Sequence, residues 1–574
     1  MNILEIYLKR IQNLIILNRE NLNIESSVNF NGTIVETPPQ EFNFDLSTNI
    51  ALVLAKKTKQ SSIKLADSIK KIIQENLNDF SDISVAGPGF INFRFSLKVY
   101  QKLIVEILAS NNKYGSSNKN KSFNIEFVSA NPTGPMHVGH SRGAIFGDVL
   151  ANLLMFNGNK VVKEYYINDY GNQIKNFTES VFFRLREIKF NENFPNKENL
   201  YPGDYVIDIA KNILMEFPKI NLNDFQNIFN KLSKESLKHS MNLIKTDLKS
   251  LGILHDNFVS ESTLVQKNLV DKSIQYLRDK KFVEEGYLNP PKGEENKSWI
   301  KTKRLIFKST LFDDDTDRAL QKNDGTWTYF ANDVAYHSDK ISRNYNYLIN
   351  VLGADHTGYI KRITAATKAL SDNRTVLICK VCQLVKLFKG GKPYKMSKRA
   401  GDFISVSELL GEVDKDSIRF MMLYRSNDVE LDFDFDKVLE KSRENPIFYV
   451  QYCYARISSL FRTLKINAQS NFEIDEKNFN LNEHELNLFR KIIDWPKIIE
   501  TSSSKLEPHR IPFYLYELAT LFHSYWSKGN EDPKYKFIID DKINNKNTLL
   551  IIKLVSLTIE NGMKILGVKL PTKM

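Results

Sequence analysis

Apolar positions recur at two different periods along this chain, and the changes of period outline its parts. Ile3, Ile6 and Leu14 fall at helical spacing with Lys9 and Arg10 breaking the run, which predicts an amphipathic N-terminal helix rather than a signal peptide. Short helical and strand-like patterns then alternate to about residue 110, closing on a Gly-Pro-Gly turn at 87–89 and the apolar strand after it. A polar stretch over residues 110–119 reads as a linker. Beyond it, residues 124–129 are strand-like, the Pro-Thr-Gly-Pro turn at 132–135 leads into a helix near Ser141, and residues 160–167 form the next strand. Strand, helix, strand in that order opens a doubly wound parallel sheet.

Residues 175–300 carry several helical periods and exceed what a crossover requires, which predicts an insertion. Residues 348–352 are a continuous apolar strand running into Gly353-Ala-Asp-His356. Ligands of such sheets gather at the carboxyl ends of the strands, where this string and the 131–140 loop both fall. From about residue 440 the pattern is helical, with Val450, Tyr454, Ile457 and Phe461 at three- and four-residue steps. There is no internal repeat. The expected fold class is α/β: an N-terminal α+β domain (1–110), a Rossmann-like, doubly wound parallel-sheet domain with its insertion (111–439), and a C-terminal all-helical bundle (440–574).

Composition sharpens this picture in three ways. With 42% hydrophobic residues the chain can fill several cores. A net charge of +12 points to a polyanionic partner, although a lysine-rich composition of the kind an AT-rich genome gives would produce it too. The three cysteines, Cys379, Cys382 and Cys453, cannot build a disulfide framework, so a reducing cytoplasm is expected. Cys379 and Cys382 form a single C-x-x-C where a structural zinc needs four ligands, so inert thiols and no zinc are expected. No apolar run approaches the ~20 residues of a membrane span.

The chemistry is concentrated in two short strings. The first is Phe127-Val-Ser-Ala-Asn-Pro-Thr-Gly-Pro-Met-His-Val-Gly-His140; the second, far downstream, is Lys395-Met-Ser-Lys-Arg399. Either alone would be weak, the histidines as helix caps and the lysines as an exposed basic loop. In this order the pair resembles the nucleotide signatures of class I aminoacyl-tRNA synthetases. Attack of a carboxylate on the α-phosphorus of ATP needs no general base, because the carboxylate is already ionised near neutral pH. It needs positioning and donors for charge growing on the phosphoryl oxygens. His137 and His140 at a helix start can supply those donors, and Gly139 allows a close approach of the adenine. Lys395 and Lys398 are point charges suited to pyrophosphate, on a Gly390-Gly391 approach that reads as a closing loop.

Longer strings narrow the resemblance. Ala130-Asn-Pro-Thr-Gly-Pro-Met-His-Val-Gly-His-Ser-Arg-Gly143, Glu164-Tyr-Tyr-Ile-Asn-Asp-Tyr-Gly-Asn-Gln-Ile174, Tyr329-Phe-Ala-Asn-Asp-Val-Ala-Tyr-His337, Gly353-Ala-Asp-His-Thr-Gly-Tyr359 and Ile565-Leu-Gly-Val-Lys-Leu-Pro571 resemble the arginyl-tRNA synthetase family over nearly the whole chain. That resemblance makes the parallel-sheet domain catalytic. It implies ligation of L-arginine to tRNA(Arg) through an arginyl-adenylate, with ATP and its Mg2+ as cofactors and activation dependent on bound tRNA. It implies catalytic roles for His137, His140, Lys395 and Lys398, and ATP contacts from Thr133, Gly139, Gly353, Asp355, Met396 and Ser397. It implies an arginine pocket of Glu126, Ser129, Asn131, His137, Tyr329, Asp333 and His356. Carboxylates and carbonyl-type acceptors suit a guanidinium, whose five donors and charge are permanent. An internal ion pair is the alternative for each acid. A synthetase of other specificity, or a tRNA-binding relative without catalysis, are the competing functions.

The family's pattern is departed from in two places. Lys398 is present where many members lack the second lysine, and Phe44 precedes Asp45 where the family usually has glycine. Membership also implies a cytoplasmic monomer with no obligate protein partner, an N-terminal module that touches the tRNA elbow and a C-terminal bundle that reads the anticodon. Tyr449, Tyr452, Tyr454 and Arg456 are the candidate stacking and phosphate groups, with core packing as the alternative for each tyrosine. On this reading, removing residues 1–110 weakens tRNA binding and leaves anticodon discrimination intact.

Overall fold

The computed structural model describes residues 2–288, 302–394, 404–466 and 474–574. The second signature, with Lys395, Met396, Ser397 and Lys398, lies outside the described residues. The chain divides into two compact units, one of residues 119–439 and one that joins residues 1–118 to residues 440–574.

The middle unit is built on a five-stranded parallel sheet in the order Val376–Cys382, Tyr347–Gly353, Ser122–Glu126, Lys160–Ile167, Asn257–Ser260. The strands expected near 124, 160 and 348 are all present, and the helix expected near Ser141 is Val138–Phe156. Its apolar side chains are buried nearly all round, as a helix between sheet and further helices requires.

Residues 175–300 differ from the expected single insertion. Asn257–Ser260 within them is the edge strand of the parallel sheet. Four half-buried residues carry no apolar run, so the pattern hid it. The helical part, Asn172–Phe190, Asp204–Glu216 and Phe225–Ser250, closes around Phe177, Val181, Leu185, Val206, Ile213 and Leu232. A three-stranded antiparallel sheet (Val283–Gly286, Arg304–Phe307, Arg318–Ala319) follows. Gly390 and Gly391, on the approach to the second signature, form the left-handed two-residue turn (φ 61° and 68°) joining strands Val385–Lys389 and Lys392–Pro393.

In the other unit, a four-stranded antiparallel sheet flanked by helices packs against the C-terminal helices. The join is polar and buried. Asp45 accepts from Phe95 N (2.8 Å), the Tyr100 hydroxyl (2.5 Å) and Arg490 Nε (2.9 Å). Arg490 also reaches Asn43 Oδ1 at 2.9 Å, where Asn43 takes the left-handed conformation that the turn before Asp45 demands. Phe44, the departure from the family pattern, lies under the Arg94 guanidinium at 5.3 Å. The expected linker is partly structural, because buried Tyr114 donates to Ile492 O (2.9 Å) and accepts from Trp495 Nε1 (3.0 Å). Gly115 is fixed by the same tryptophan, since a Cβ there would lie 2.5 Å from Trp495 Nε1.

A cut at residue 110 would therefore uncover Arg490 and the apolar side of the bundle. That deletion no longer separates elbow from anticodon contacts as the sequence reading supposed. Replacing Arg490 strands a buried carboxylate, which costs about 3 kcal/mol. Arg490→Ala should lower the melting temperature of the full chain and speed amide exchange in helix Glu483–Ile493. Unchanged melting and exchange would contradict the joint's role.

Candidate active site

The sheet order changes direction between Ser122–Glu126 and Tyr347–Gly353. Doubly wound sheets take their ligands in a crevice at such a switch point, beyond the carboxyl ends of the strands. The 127–137 loop leaves the first strand and Gly353-Ala-Asp-His356 leaves the second. Val128 and Ser129 are both left-handed (φ 72° and 42°), a costly conformation for a β-branched residue. It is held by the Ser129 hydroxyl, which donates to Glu126 Oε1 (3.0 Å) and accepts from Tyr166 N (3.1 Å). Asn131 is tied to the 164–174 string, donating to Gln173 Oε1 (2.8 Å) and accepting from Asn168 Nδ2 (3.2 Å). Thr133 turns the loop with its amide on Asn131 O (2.8 Å).

His137 caps helix Val138–Phe156 in a reciprocal box: its ring accepts the His140 amide, and His140 Nδ1 accepts the His137 amide at 3.3 Å. The two rings stack with centroids 3.7 Å apart. A Cβ on Gly139 would lie 2.8 Å from the His137 ring, so glycine is needed for the histidine pair as well as for any ligand. Burial lowers both pKa values, and the neighbouring ring lowers His140 further, to about 4, against the opposing charge of Asp355. At neutral pH both are uncharged imidazoles, each able to donate one N–H.

Short backbone bonds tie residues 404–406, downstream of the second signature, to the first signature. Val138 N donates to Ile404 O and Val406 N to Met136 O, both at 2.9 Å, with His137 and Ser405 forming a β-bridge between them. Asp355 stands nearby, exposed, 3.4 Å from His356 Nε2. A Cβ on Gly353 would lie 2.7 Å from Asp355 Oδ1.

A group of acids occupies the same crevice. Glu126 takes Lys340 Nζ on its other oxygen, and Lys340 continues to Asn350 Oδ1 at 3.0 Å. For Glu126, then, the internal ion pair is the observed state. Asp333 lies one turn after Tyr329 on helix Tyr329–Ser342 and accepts from the Tyr359 hydroxyl. Among the described residues it has no ion-pair partner. Burial above all, with the charge of Glu126, lifts its pKa to about 7. Glu261, which the sequence reading missed, is buried beside it, bonded to Asn332 Nδ2 (2.8 Å) and likewise raised to about 7, mainly by burial. The available signal was position: Glu261 follows Asn257–Ser260 at its carboxyl end. Tyr329 is 62% exposed at the helix start, its hydroxyl near Gly171. His356 pairs with Asp355 and not with these acids.

Helix Tyr329–Ser342 is bolted to the sheet by charge. Glu164, wholly buried, receives Arg343, the Tyr336 hydroxyl (2.8 Å), Asn124 Nδ2 (3.1 Å) and Asn257 Nδ2 (2.8 Å). Burial alone would raise its pKa, but the Arg343 hydrogen bond and the charges of Lys340 and Arg343 hold it near 2.

Cys379 and Cys382 are three apart on one strand and so face opposite sides of the sheet, with thiols raised to about 12 by burial. On the insertion, Glu216, Glu235 and His239 come together, but Lys238 Nζ already bonds both carboxylates at 3.0 and 3.1 Å.

On the C-terminal helices, Val450, Ile457 and Phe461 are buried, whereas Tyr449, Tyr452 and Tyr454 are half-buried. Arg456 lies 4.2 Å over the Tyr452 ring and 5.1 Å from that of Trp526, and Tyr449 packs against His523 and Tyr516.

A parallel sheet with its crevice at the switch point, and twin histidines over a helix start beside it, define the catalytic domain of a class I aminoacyl-tRNA synthetase. The profile described as "tRNA synthetases class I (R), catalytic domain" matches residues 103–441, with "Arginyl tRNA synthetase N terminal domain" over 10–95 and "DALR anticodon binding domain" over 450–574. The chain is 52% identical to the arginine–tRNA ligase of Pelagibacter ubique (strain HTCC1062), covering 100% of both, and 44% identical to that of Ehrlichia ruminantium (strain Welgevonden), covering 98% of both. Its fold is similar to that of Thermus thermophilus arginyl-tRNA synthetase, with a TM-score of 0.72 over 99% of this chain and 100% of that one at 19% identity. The chain belongs to the arginyl-tRNA synthetase family.

The histidine pair makes a direct prediction. In an NMR titration His140 should stay neutral down to about pH 5 and protonate near 4. A midpoint near the ordinary 6.5 would contradict the buried, stacked arrangement.

Proposed function

We propose that the acids of the crevice receive the guanidinium of arginine, while the histidine pair and the second signature receive ATP. The enzyme is an arginine–tRNA ligase of class I, and the reaction runs in two steps. An oxygen of the arginine carboxylate attacks the α-phosphorus of ATP, giving arginyl-adenylate as diphosphate leaves. A terminal ribose hydroxyl of tRNA(Arg) then attacks the acyl carbon, giving arginyl-tRNA and releasing AMP. ATP enters as its Mg2+ complex, the substrate form.

The observation that carries the reading is a cation deficit. Lys340 offsets Glu126, while Asp333 and Glu261, raised by burial and by neighbouring acids (Glu126 for Asp333, Asp333 for Glu261), form no ion pair among the described residues, and Lys340 and Arg362 offset Asp333 only from a distance. A guanidinium satisfies that deficit with fixed donors, where a neutral side chain would leave the acids protonated or repelling. Ser129, Asn131 and Tyr329 line its path and offer polar contacts to the amino acid, with His137 at its carboxylate end. His140, Thr133, Gly139, Gly353 and Asp355 serve the nucleotide, the last through the ribose. Lys395 and Lys398, with Met396 and Ser397 between them, close on the phosphates. His356 belongs with Asp355 on the nucleotide side in this reading, a revision of its place in the arginine pocket. The half-buried Tyr449, Tyr452 and Arg456 present faces and charge for unpaired anticodon bases. Free cysteines and the family together favour a cytoplasmic monomer without structural zinc.

Three measurements test this reading. Asp333→Asn should weaken arginine binding by at least ~1.5 kcal/mol with little change in ATP affinity; normal arginine binding would place Asp333 outside the pocket. Arginine binding by the wild type should tighten as pH rises through about 7, because Asp333 and Glu261 must shed protons to receive a cation. Asp333→Asn should flatten that slope, and a pH-independent wild-type affinity between 6 and 8 would contradict the assignment. Pyrophosphate exchange should require arginine and cognate tRNA together; exchange driven by another amino acid would overturn the function.

A further inference from the structure

The 130–136 loop is poor in backbone donors, since Pro132 and Pro135 have no N–H, and it joins no sheet. Its register is set from outside. Ala130 O accepts from the Tyr165 hydroxyl at 2.8 Å, on the neighbouring strand. Two further ties come from the helical insertion. Thr133 O accepts from the Tyr205 hydroxyl at 2.9 Å, and Met136 N donates to Asp247 Oδ2 at 2.9 Å. Tyr205 opens helix Asp204–Glu216 and packs on the insertion's own core; Asp247 stands near the end of helix Phe225–Ser250.

Both contacts are built, not incidental. The Tyr205 ring lies between two glycines: a Cβ on Gly203 would come 2.5 Å from it, and one on Gly134 would come within 3.1 Å. Asp247 is buried, with no ion-pair partner among the described residues and a pKa lifted by burial to about 6. A buried carboxylate without a cation is costly, and the one described bond that offsets it is to Met136 N. Met136 is also the residue whose carbonyl receives Val406 N, and it immediately precedes His137.

We propose that the helical insertion holds the nucleotide loop in register, with Tyr205 and Asp247 as positioning residues on either side of Gly134-Pro135. Through them the loop delivers His137 to its place over the helix start. The proposal rests on the reading of that loop as the ATP site.

The test is ATP-dependent pyrophosphate exchange by the full-length enzyme with arginine and tRNA, compared with direct arginine binding and thermal melting. Tyr205→Phe removes one hydroxyl, Asp247→Ala removes the acceptor and Asp247→Asn keeps an acceptor. Tyr205→Phe and Asp247→Ala should each raise the KM for ATP by about fivefold or more, the loss of one hydrogen bond, with arginine affinity unchanged. Asp247→Asn should recover most of what the alanine loses. An unchanged KM for ATP in Tyr205→Phe, or equal losses in arginine and ATP affinity, would overturn the positioning role while leaving the ATP reading intact. If Asp247→Ala fails to fold, Tyr205→Phe decides alone. A folded wild type that binds no ATP would overturn both the site reading and this proposal.

Discussion

Everything in the crevice depends on how helix Tyr329–Ser342 is fixed to the sheet, and the fixing is done by buried charge. Glu164 has no exposed surface, so its ionised form survives only through Arg343, Lys340 nearby and the neutral donors around it. A pKa held near 2 instead of 4.5 makes the network stabilising by about 3 kcal/mol at neutral pH. The sign follows from the depressed value: the stability is complete above about 4.5 and is lost as pH falls toward 2. Lys340 adds a second bolt, one strand over, through Glu126 and Asn350. Apolar packing could hold the helix equally firmly, but it would not fix its rotation as directional bonds do. Rotation matters, because Tyr329 and Asp333 share the helix with both bolts.

Two kinds of carboxylate result. Glu164 and Glu126 are spent on structure and carry their own cations. Asp333 and Glu261 form no ion pair among the described residues, and burial together with neighbouring acids raises their pKa values. The contrast is sharper evidence for a cationic ligand than the number of acids, since paired acids would attract nothing. The histidines show the opposite solution: stacked and desolvated, they stay neutral and serve as donors.

Much of this was legible in the chain. Strand-like runs at 124 and 160 and the continuous apolar run at 348 marked the central strands of the parallel sheet. The edge strand Asn257–Ser260 escaped notice because an edge needs little apolar character, and Glu261 escaped with it. Which acids were paired could not be read, because Lys340 and Arg343 look like any surface cations until the helix turns them inward. The joint of Asp45 with Arg490 was equally hidden, since the two are joined only by folding. Local motifs announce ligand chemistry; long-range ion pairs leave no local trace.

The most direct test is a double-mutant cycle on Glu164 and Arg343, neither of which is assigned to touch substrate, read out in arginine affinity. Glu164→Gln, Arg343→Met and the double variant are compared with wild type by calorimetry. If the buried pair sets the helix that carries Asp333, each single variant weakens arginine binding and the two effects are strongly non-additive, with a coupling of at least about 1 kcal/mol. Wild-type arginine affinity in folded single variants, or simple additivity, would contradict the account.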